Sequence, residues 1–331
     1  MRGAHCSAHA AETEKRHRLV KRTSIKRLLL ATDFSDWARR AEEYACALAA
    51  SWQAELTVMT VLEFPPGMDP EYAINKQYLT ERMHDASSRL AELKGRAQQR
   101  GIATAMRIAT GIPSEEVIAA ARAEETDLVV VGTRGKSGLA HVLLGSTAER
   151  TIRMAPCPVL AVHMPKPEGR PGEGVSLNRI LVPTDFSECS QEAVEFAGTV
   201  AHQAKASIEL LHILELGGYG IDFSIEHPDE RQYKRKQATE RLEALSSGLI
   251  AAGLLVKTSV LGGAPADTIL EVARKMSCHL IVMGTHGRRG LSHVFAGSVT
   301  EAVLRRGTVP VLAVRHPAFS AQEHAHTVRP L

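Results

Sequence analysis

Long apolar runs are missing from this chain. None approaches the roughly 18–20 residues that a membrane-spanning helix requires. The first residues offer only a short Ala-rich stretch broken by His9 and Glu12, in place of a signal-peptide core. Cysteine is also scarce. Cys6, Cys46, Cys157, Cys189 and Cys278 make an odd number with no C-x-x-C among them. That usage predicts free thiols in a reducing compartment, and a cytoplasmic location is expected. Charge of one sign is lacking too. Forty Lys and Arg against 37 Asp and Glu leave a net +3, too small a surplus to imply a nucleic-acid partner. Much of it lies in the first 27 residues, at Lys15, Arg16, Arg18, Lys21, Arg22, Lys26 and Arg27, which read as a solvated basic arm.

Several catalytic signatures are absent as well. There is no G-x-x-x-x-G-K-[ST] loop, no kinase signature set and no G-x-S-x-G elbow. The dinucleotide fingerprint belongs directly after the first strand, and Thr32-Asp33-Phe34-Ser35 stands there instead. No paired carboxylates and no Ser/His/Asp constellation recur. His141 and His293 do recur, but a lone histidine reads as structural. His5, Cys6 and His9 offer three metal-ligand types on a polar terminus, a grouping that chance explains. No dedicated catalyst is indicated and no metal site is expected.

What is present comes twice. Residues 131–146 read VGTRGKSGLAHVLLGS, and residues 283–298 read MGTHGRRGLSHVFAGS. Both copies show Gly-x-x-Gly, nine residues, then Gly-Ser. Both follow an apolar run (127–131 and 279–283), and both lead through a helical segment to PVLAV (158–162 and 310–314). One offset, 152 residues, relates Asp33 to Asp185, Pro113 to Pro265, Gly132 to Gly284 and Gly145 to Gly297. A constant offset implies two copies of one domain. The Pro/Gly-rich segment 164–177 is then the linker between domains 25–163 and 178–315. The arm 1–24 and the tail 316–331 are expected to be flexible.

Within the first copy, strand-like runs at 25–31, 55–62, 104–109, 127–131 and 158–162 alternate with helical spacing at 36–51, 71–100 and 114–124. Ser35 or Asp36 suits an N-cap, and Pro113 suits a first helical turn. The second copy restarts at 178–182 and 207–214. Nearly all-apolar strands alternating with helices predict a parallel sheet covered on both faces, joined by right-handed crossovers. The expected fold is α/β: two tandem Rossmann-like domains, each with five parallel strands in the order 3-2-1-4-5.

In such sheets ligands bind at the carboxyl ends of the strands, where the strand order reverses. Two motifs of each half fall there. One is Thr32-Asp33, or Thr184-Asp185. The other is the strand end and glycine loop: Val131, Gly132, Thr133, Arg134 and Gly135, or Met283, Gly284, Thr285, His286 and Gly287. Glycines let a ligand approach the backbone, and the N–H groups of a following helix attract anions. A carboxylate facing such a loop suits a nucleotide. Simpler readings stand beside this one. Asp33 and Asp185 could cap the helices that follow them, and Ser146 and Ser298 could do the same. Gly138 and Gly290 could serve a turn alone. Lys136, Arg288 and Arg289 either neutralise phosphate or are solvated.

These residues resemble the universal stress protein family in its tandem, UspA-like form. Its hallmark Gly-x-x-Gly-x(9)-Gly-[Ser/Thr] is matched by Gly132, Gly135, Gly145 and Ser146, and again by Gly284, Gly287, Gly297 and Ser298. Its Pro-Thr-Asp-Phe-Ser signature stands intact from Pro183 to Ser187, and the first half departs from it only at Ala31. The resemblance implies ATP, or AMP or ADP, with Mg²⁺. It implies nucleoside contacts from Asp33 and Asp185 and backbone contacts to adenine from Val61 and Ile213. Ribose and phosphates would be held by the glycines with Ser146, Thr147, Ser298 and Val299. Arg134 and His286 differ, so their side chains need not act alike. Family members associate through the last strand, so PVLAV implies intrachain pairing of the two domains, with a homodimer and an unknown protein partner left open. The expected function is a nucleotide sensor in stress response with little or no hydrolysis. The alternatives are an interaction module with empty or incidental sites and, third, a slow ATPase.

Overall fold

A computed structural model describes residues 24–63, 73–135, 144–164, 175–215, 228–285 and 297–315. In the first half β1 (Arg27–Ala31), α1 (Asp36–Trp52), β2 (Glu55–Leu62), α2 (Ala73–Gln99), β3 (Thr104–Thr110), α3 (Pro113–Ala123), β4 (Leu128–Gly132), α4 (Ser146–Met154) and β5 (Val159–Val162) follow one another. The second half repeats the series. It runs β6 (Arg179–Pro183), α5 (Glu188–Ala204), β7 (Ser207–Leu214), α6 (Pro228–Ala251), β8 (Val256–Gly262), α7 (Pro265–Lys275), β9 (Leu280–Gly284), α8 (Ser298–Arg306) and β10 (Val311–Val314). The arm, the tail and most of the 164–177 linker lie outside the described residues.

Each half has the expected order, β3-β2-β1-β4-β5 and its counterpart, and the ten strands form one continuous sheet. Within each half every pairing is parallel. The seam between halves is antiparallel. Leu312 faces Leu160 at its centre, with Val311 opposite Ala161 and Ala313 opposite Val159. Apart from the exposed Arg27, the strands RLLLA, LVVVG and VLAV are apolar because both of their faces are covered. Period-2 alternation sends Leu160, Val162, Leu312 and Val314 into one core with α1, α2, α5 and α6. It sends Val159, Ala161, Val311 and Ala313 into the other with α3, α4, α7 and α8. Both cores run unbroken across the seam.

Local chemistry sets the element ends. Ser35 Oγ accepts from Ala38 N and caps α1, and Ser187 caps α5 in the same way. Pro113 and Pro265 open α3 and α7, where a missing N–H is harmless. β4 starts at Leu128 and β9 at Leu280, each one residue later than expected; in the first half the Asp127 carboxylate accepts from Lys26 N and Arg27 N at 2.8 and 2.9 Å. The duplication extends to the backbone. Residues with left-handed φ come in pairs at the 152-residue offset: Phe34 with Phe186, Gln53 with Lys205, Glu125 with Ser277. No described helix is long and apolar enough to cross a membrane. The described cysteines, Cys46, Cys157, Cys189 and Cys278, are buried, and burial pushes the Cys278 thiol up to about 11.

Side chains also tie the halves together. Gln203 of α5 accepts from Ile25 N at 2.8 Å and donates to Ile25 O at 3.3 Å. His163, just beyond β5, is 6% exposed, and its Nε2–H donates to Leu304 O of α8 at 2.7 Å. Burial holds its imidazole below the usual value, against the opposing pull of the Leu304 and Val309 carbonyls. Its Nδ1 meets no acceptor among the described residues. The neutral ring is therefore the form that folding favours. Its contribution is complete above the unfolded value of about 6.5 and declines as pH falls below that toward the folded value. Urea midpoints at pH 7.5 and 5.5 should show a smaller acid loss in His163→Gln than in the unsubstituted protein. Equal losses would remove His163 as the cause.

Candidate functional site

β1 and β4 lie side by side, and the order reverses between them, so a crevice opens at their carboxyl ends. Thr32 and Asp33 leave β1 there. Thr32 N donates to Met59 O of β2 at 2.8 Å, and Thr32 Oγ1 accepts from Phe34 N at 3.0 Å. Asp33 Oδ1 accepts from both N and Oγ of Ser35, at 3.0 and 2.6 Å. The cap of α1 is thus Ser35, and Asp33 braces that cap. Thr184, Asp185 and Ser187 repeat this turn with the same distances. Phe34 and Phe186 sit at φ 61° and 64°. For a bulky residue that is an outlier costing about 1–3 kcal/mol, tolerated only where the surroundings over-determine it. The rings pack into the core, with Arg89 Cζ 4.9 Å from the Phe34 centroid and Arg241 Cζ 4.0 Å from the Phe186 centroid.

The glycine loop hangs from the seam. Thr133 N donates to Val162 O of β5 at 3.0 Å, and Thr133 O accepts from Gly145 N at 2.8 Å, so one residue closes both ends of the loop. In the second half Thr285 N donates to Val314 O of β10 at 2.9 Å, and Thr285 O accepts from Gly297 N at 2.6 Å. Gly132, Gly284 and Gly135 each have a steric reason to be glycine. A Cβ on Gly132 would come within 3.0 Å of the Trp37 carbonyl group. One on Gly284 would come within 2.8 Å of Cys189 O. One on Gly135 would stand 2.7 Å from Asp33 Oδ2, so the carboxylate and the loop backbone are in direct apposition. Arg134 folds back over Trp37, 4.8 Å from the ring.

α4 and α8 begin at Ser146 and Ser298, with Gly145 and Gly297 as N-caps and no side-chain cap bond. The serines are first helical residues, not caps. Neither N-cap therefore offers a side chain to the early N–H groups of its helix. Thr147 and Val299 occupy the next position of each helix. Val61 and Ile213, half-buried, stand next to the ends of β2 and β7. The structure thus places Thr32, Asp33, Val131 through Gly135, Gly145, Ser146 and Thr147 at one sheet edge, with their second-half counterparts. His286 and Gly287 lie outside the described residues, as do Lys136, Gly138, His141, Arg288, Arg289, Gly290 and His293. A hollow of about 410 Å³ lined by Arg27, Glu55, Thr57, Met106, Arg107 and Glu124 lies at the opposite edge, by the amino ends of β1–β3. Its arginines already pair with Glu125 and Glu124, at 3.0 and 3.1 Å. It shares no residue with either crevice.

Sequence reasoning missed the strained phenylalanines, their arginine covers and the Arg134–Trp37 contact. Arg89 and Arg241 do obey the 152-residue offset, a signal available in helices that otherwise share little.

Comparison with known proteins gives a consistent result. The model of the universal stress protein family matches residues 24–163 and again 176–315. A universal stress protein of Methanocaldococcus jannaschii is 35% identical over 147 residues, 43% of this chain and 85% of that protein. One from Synechocystis is 25% identical over 312 residues, spanning 88% of this chain and all of the relative. The crystal structure of a universal stress protein from Archaeoglobus fulgidus superposes with a TM-score of 0.65 at 23% identity, covering 87% of this chain and 97% of that one. It supports the fold.

The glycine contacts give a direct test. Gly132→Ala and Gly284→Ala should each cost about 1–3 kcal/mol by forcing backbone apart. Gly145→Ala, whose nearest non-adjacent atom would lie 3.5 Å away, should leave the thermal midpoint nearly unchanged. Equal losses at all three positions in thermal melts would contradict this packing.

Proposed function

We propose that this chain, which belongs to the universal stress protein family, binds an adenine nucleotide in each half, at the carboxyl edge of the sheet. The observation that carries this reading is the apposition of the Asp33 carboxylate to Gly135, beside a nine-residue helix whose N-cap, Gly145, has no side chain. A carboxylate accepts from ribose hydroxyls. Loop and helix N–H groups donate to phosphate oxygens, aided by the positive end of the helix dipole. One crevice offering both suits a nucleotide better than a free anion, which the carboxylate would repel.

Asp33 and Asp185 take the ribose in this reading. Val61 and Ile213 meet the base through their backbone. Gly132, Gly135, Gly145, Ser146 and Thr147 take the phosphates, as do Gly284, Gly287, Gly297, Ser298 and Val299. ATP is the proposed ligand, with AMP or ADP as related occupants, and Mg²⁺ enters as the counter-ion of the phosphates. Asp33 Oδ1 is already engaged by Ser35, so the carboxylate orients a ligand and is not a freely swinging base. The proposed role is nucleotide sensing in the cytoplasm, with little or no hydrolysis. Binding biases a conformation or a protein contact only as far as the nucleotide favours one state over another.

Equilibrium binding of ATP to nucleotide-stripped protein tests the assignment. Gly135→Val should remove one site, because the added side chain collides with the Asp33 carboxylate and fills the phosphate approach, and Gly287→Val should remove the other by filling the equivalent phosphate approach. The double variant should fold and bind none. A folded double variant with undiminished ATP affinity would overturn the proposed site.

A further inference from the structure

The two crevices are built to different standards. Thr184 of the second half is tied at every polar atom. Its N donates to Leu211 O at 2.8 Å, and its Oγ1 accepts from Phe186 N at 3.0 Å and bonds Ser190 Oγ at 2.9 Å. Its carbonyl accepts from His212 Nδ1–H at 2.8 Å. The His212 ring lies against Phe186, 4.4 Å between centroids, while Arg241 covers Phe186 as well. Phe186 is only 8% exposed. Thr300 Oγ1 donates to Gly284 O at 2.7 Å and pins the base of the glycine loop.

The first half has Thr60, Ala38 and Ala148 in place of His212, Ser190 and Thr300. None of these can supply the ring stack, and neither alanine can supply the hydroxyl bond. Phe34 is only half-buried, and its arginine stands about an ångström further off than its counterpart.

We infer that His212 is a positioning residue that preorganises the second crevice, so that the two halves bind nucleotide with unequal affinity and the second binds more tightly. The inference rests on the nucleotide reading above. Asp185 follows Thr184 directly, and Phe186, at φ 64°, follows Asp185. A strained turn holds its carboxylate in place only as well as its neighbours hold the strain. Fixing that turn before binding leaves less ordering to be lost on binding.

The test is ATP titration of each site alone, with Gly135→Val silencing the first and Gly287→Val the second, alongside the unsubstituted protein. The second site should bind about five- to tenfold more tightly, the effect expected of one well-made hydrogen bond. His212→Thr installs the residue that the same fold accommodates at Thr60. It should weaken the second site by that factor and leave the first unchanged. Ser190→Ala should act in the same direction, and His212→Asn, which keeps a donor for Thr184 O, should restore affinity. Equal affinities in the two halves would overturn the inference. So would a His212→Thr protein whose thermal midpoint falls while its second-site affinity holds, since that is a merely structural role. An unsubstituted protein that binds no ATP would overturn the nucleotide reading itself, which separates that failure from the failure of His212.

Discussion

The antiparallel seam between β5 and β10 holds both crevices, because each glycine loop hangs from it. Thr133 donates to the last residue of β5, and Thr285 to the last residue of β10. The same two threonines accept from Gly145 and Gly297 and so fix where α4 and α8 begin. In the nucleotide reading proposed above, the N–H groups of the loop serve the ligand and not the loop's own stability. The seam supplies the fixed points instead, with Leu160 and Leu312 packed at its centre. The tandem arrangement thereby makes one rigid sheet from two domains whose innermost edges would otherwise be open to unwanted pairing.

Against that frame sits a local conflict. The turn after β1 and β6 places a phenylalanine where a bulky residue is disfavoured, in both halves. Burial of the ring, a threonine hydroxyl and a covering arginine offset the cost. The carboxylate that faces the glycine loop is carried by this same turn. The strain therefore lies at the point where position matters most, and the halves differ in how firmly they hold it. The chain carries two copies of one turn, and only the second has His212, Ser190 and Thr300 around it.

Much of the fold was legible in the sequence. Strand order followed from apolar strands alternating with helices, and the constant offset revealed the duplication before any coordinate. The repeated PVLAV segments pointed to the seam that Leu160 and Leu312 form. The crevice was legible in outline, since the Thr-Asp turn and the glycine loop had to share a sheet edge. What stayed hidden depends on backbone angles or distant contacts. Nothing in the string Thr-Asp-Phe-Ser marks a left-handed phenylalanine. His212 reaches Thr184 only because β6 and β7 are paired. Gly145, not Ser146, caps α4, because the helix starts one residue earlier than a capping serine would require. The Asp127 carboxylate accepts from Lys26 N and Arg27 N, a contact between residues about a hundred positions apart that no local pattern announces.

The most direct measurement is a crystal structure of the protein soaked with ATP and Mg²⁺. The account predicts density in both halves, with a ribose within hydrogen-bonding distance of Asp33 and Asp185. The phosphates should lie over the first turns of α4 and α8. A nucleotide found in the hollow between Arg27 and Arg107, or phosphates turned away from both helix starts, would contradict it.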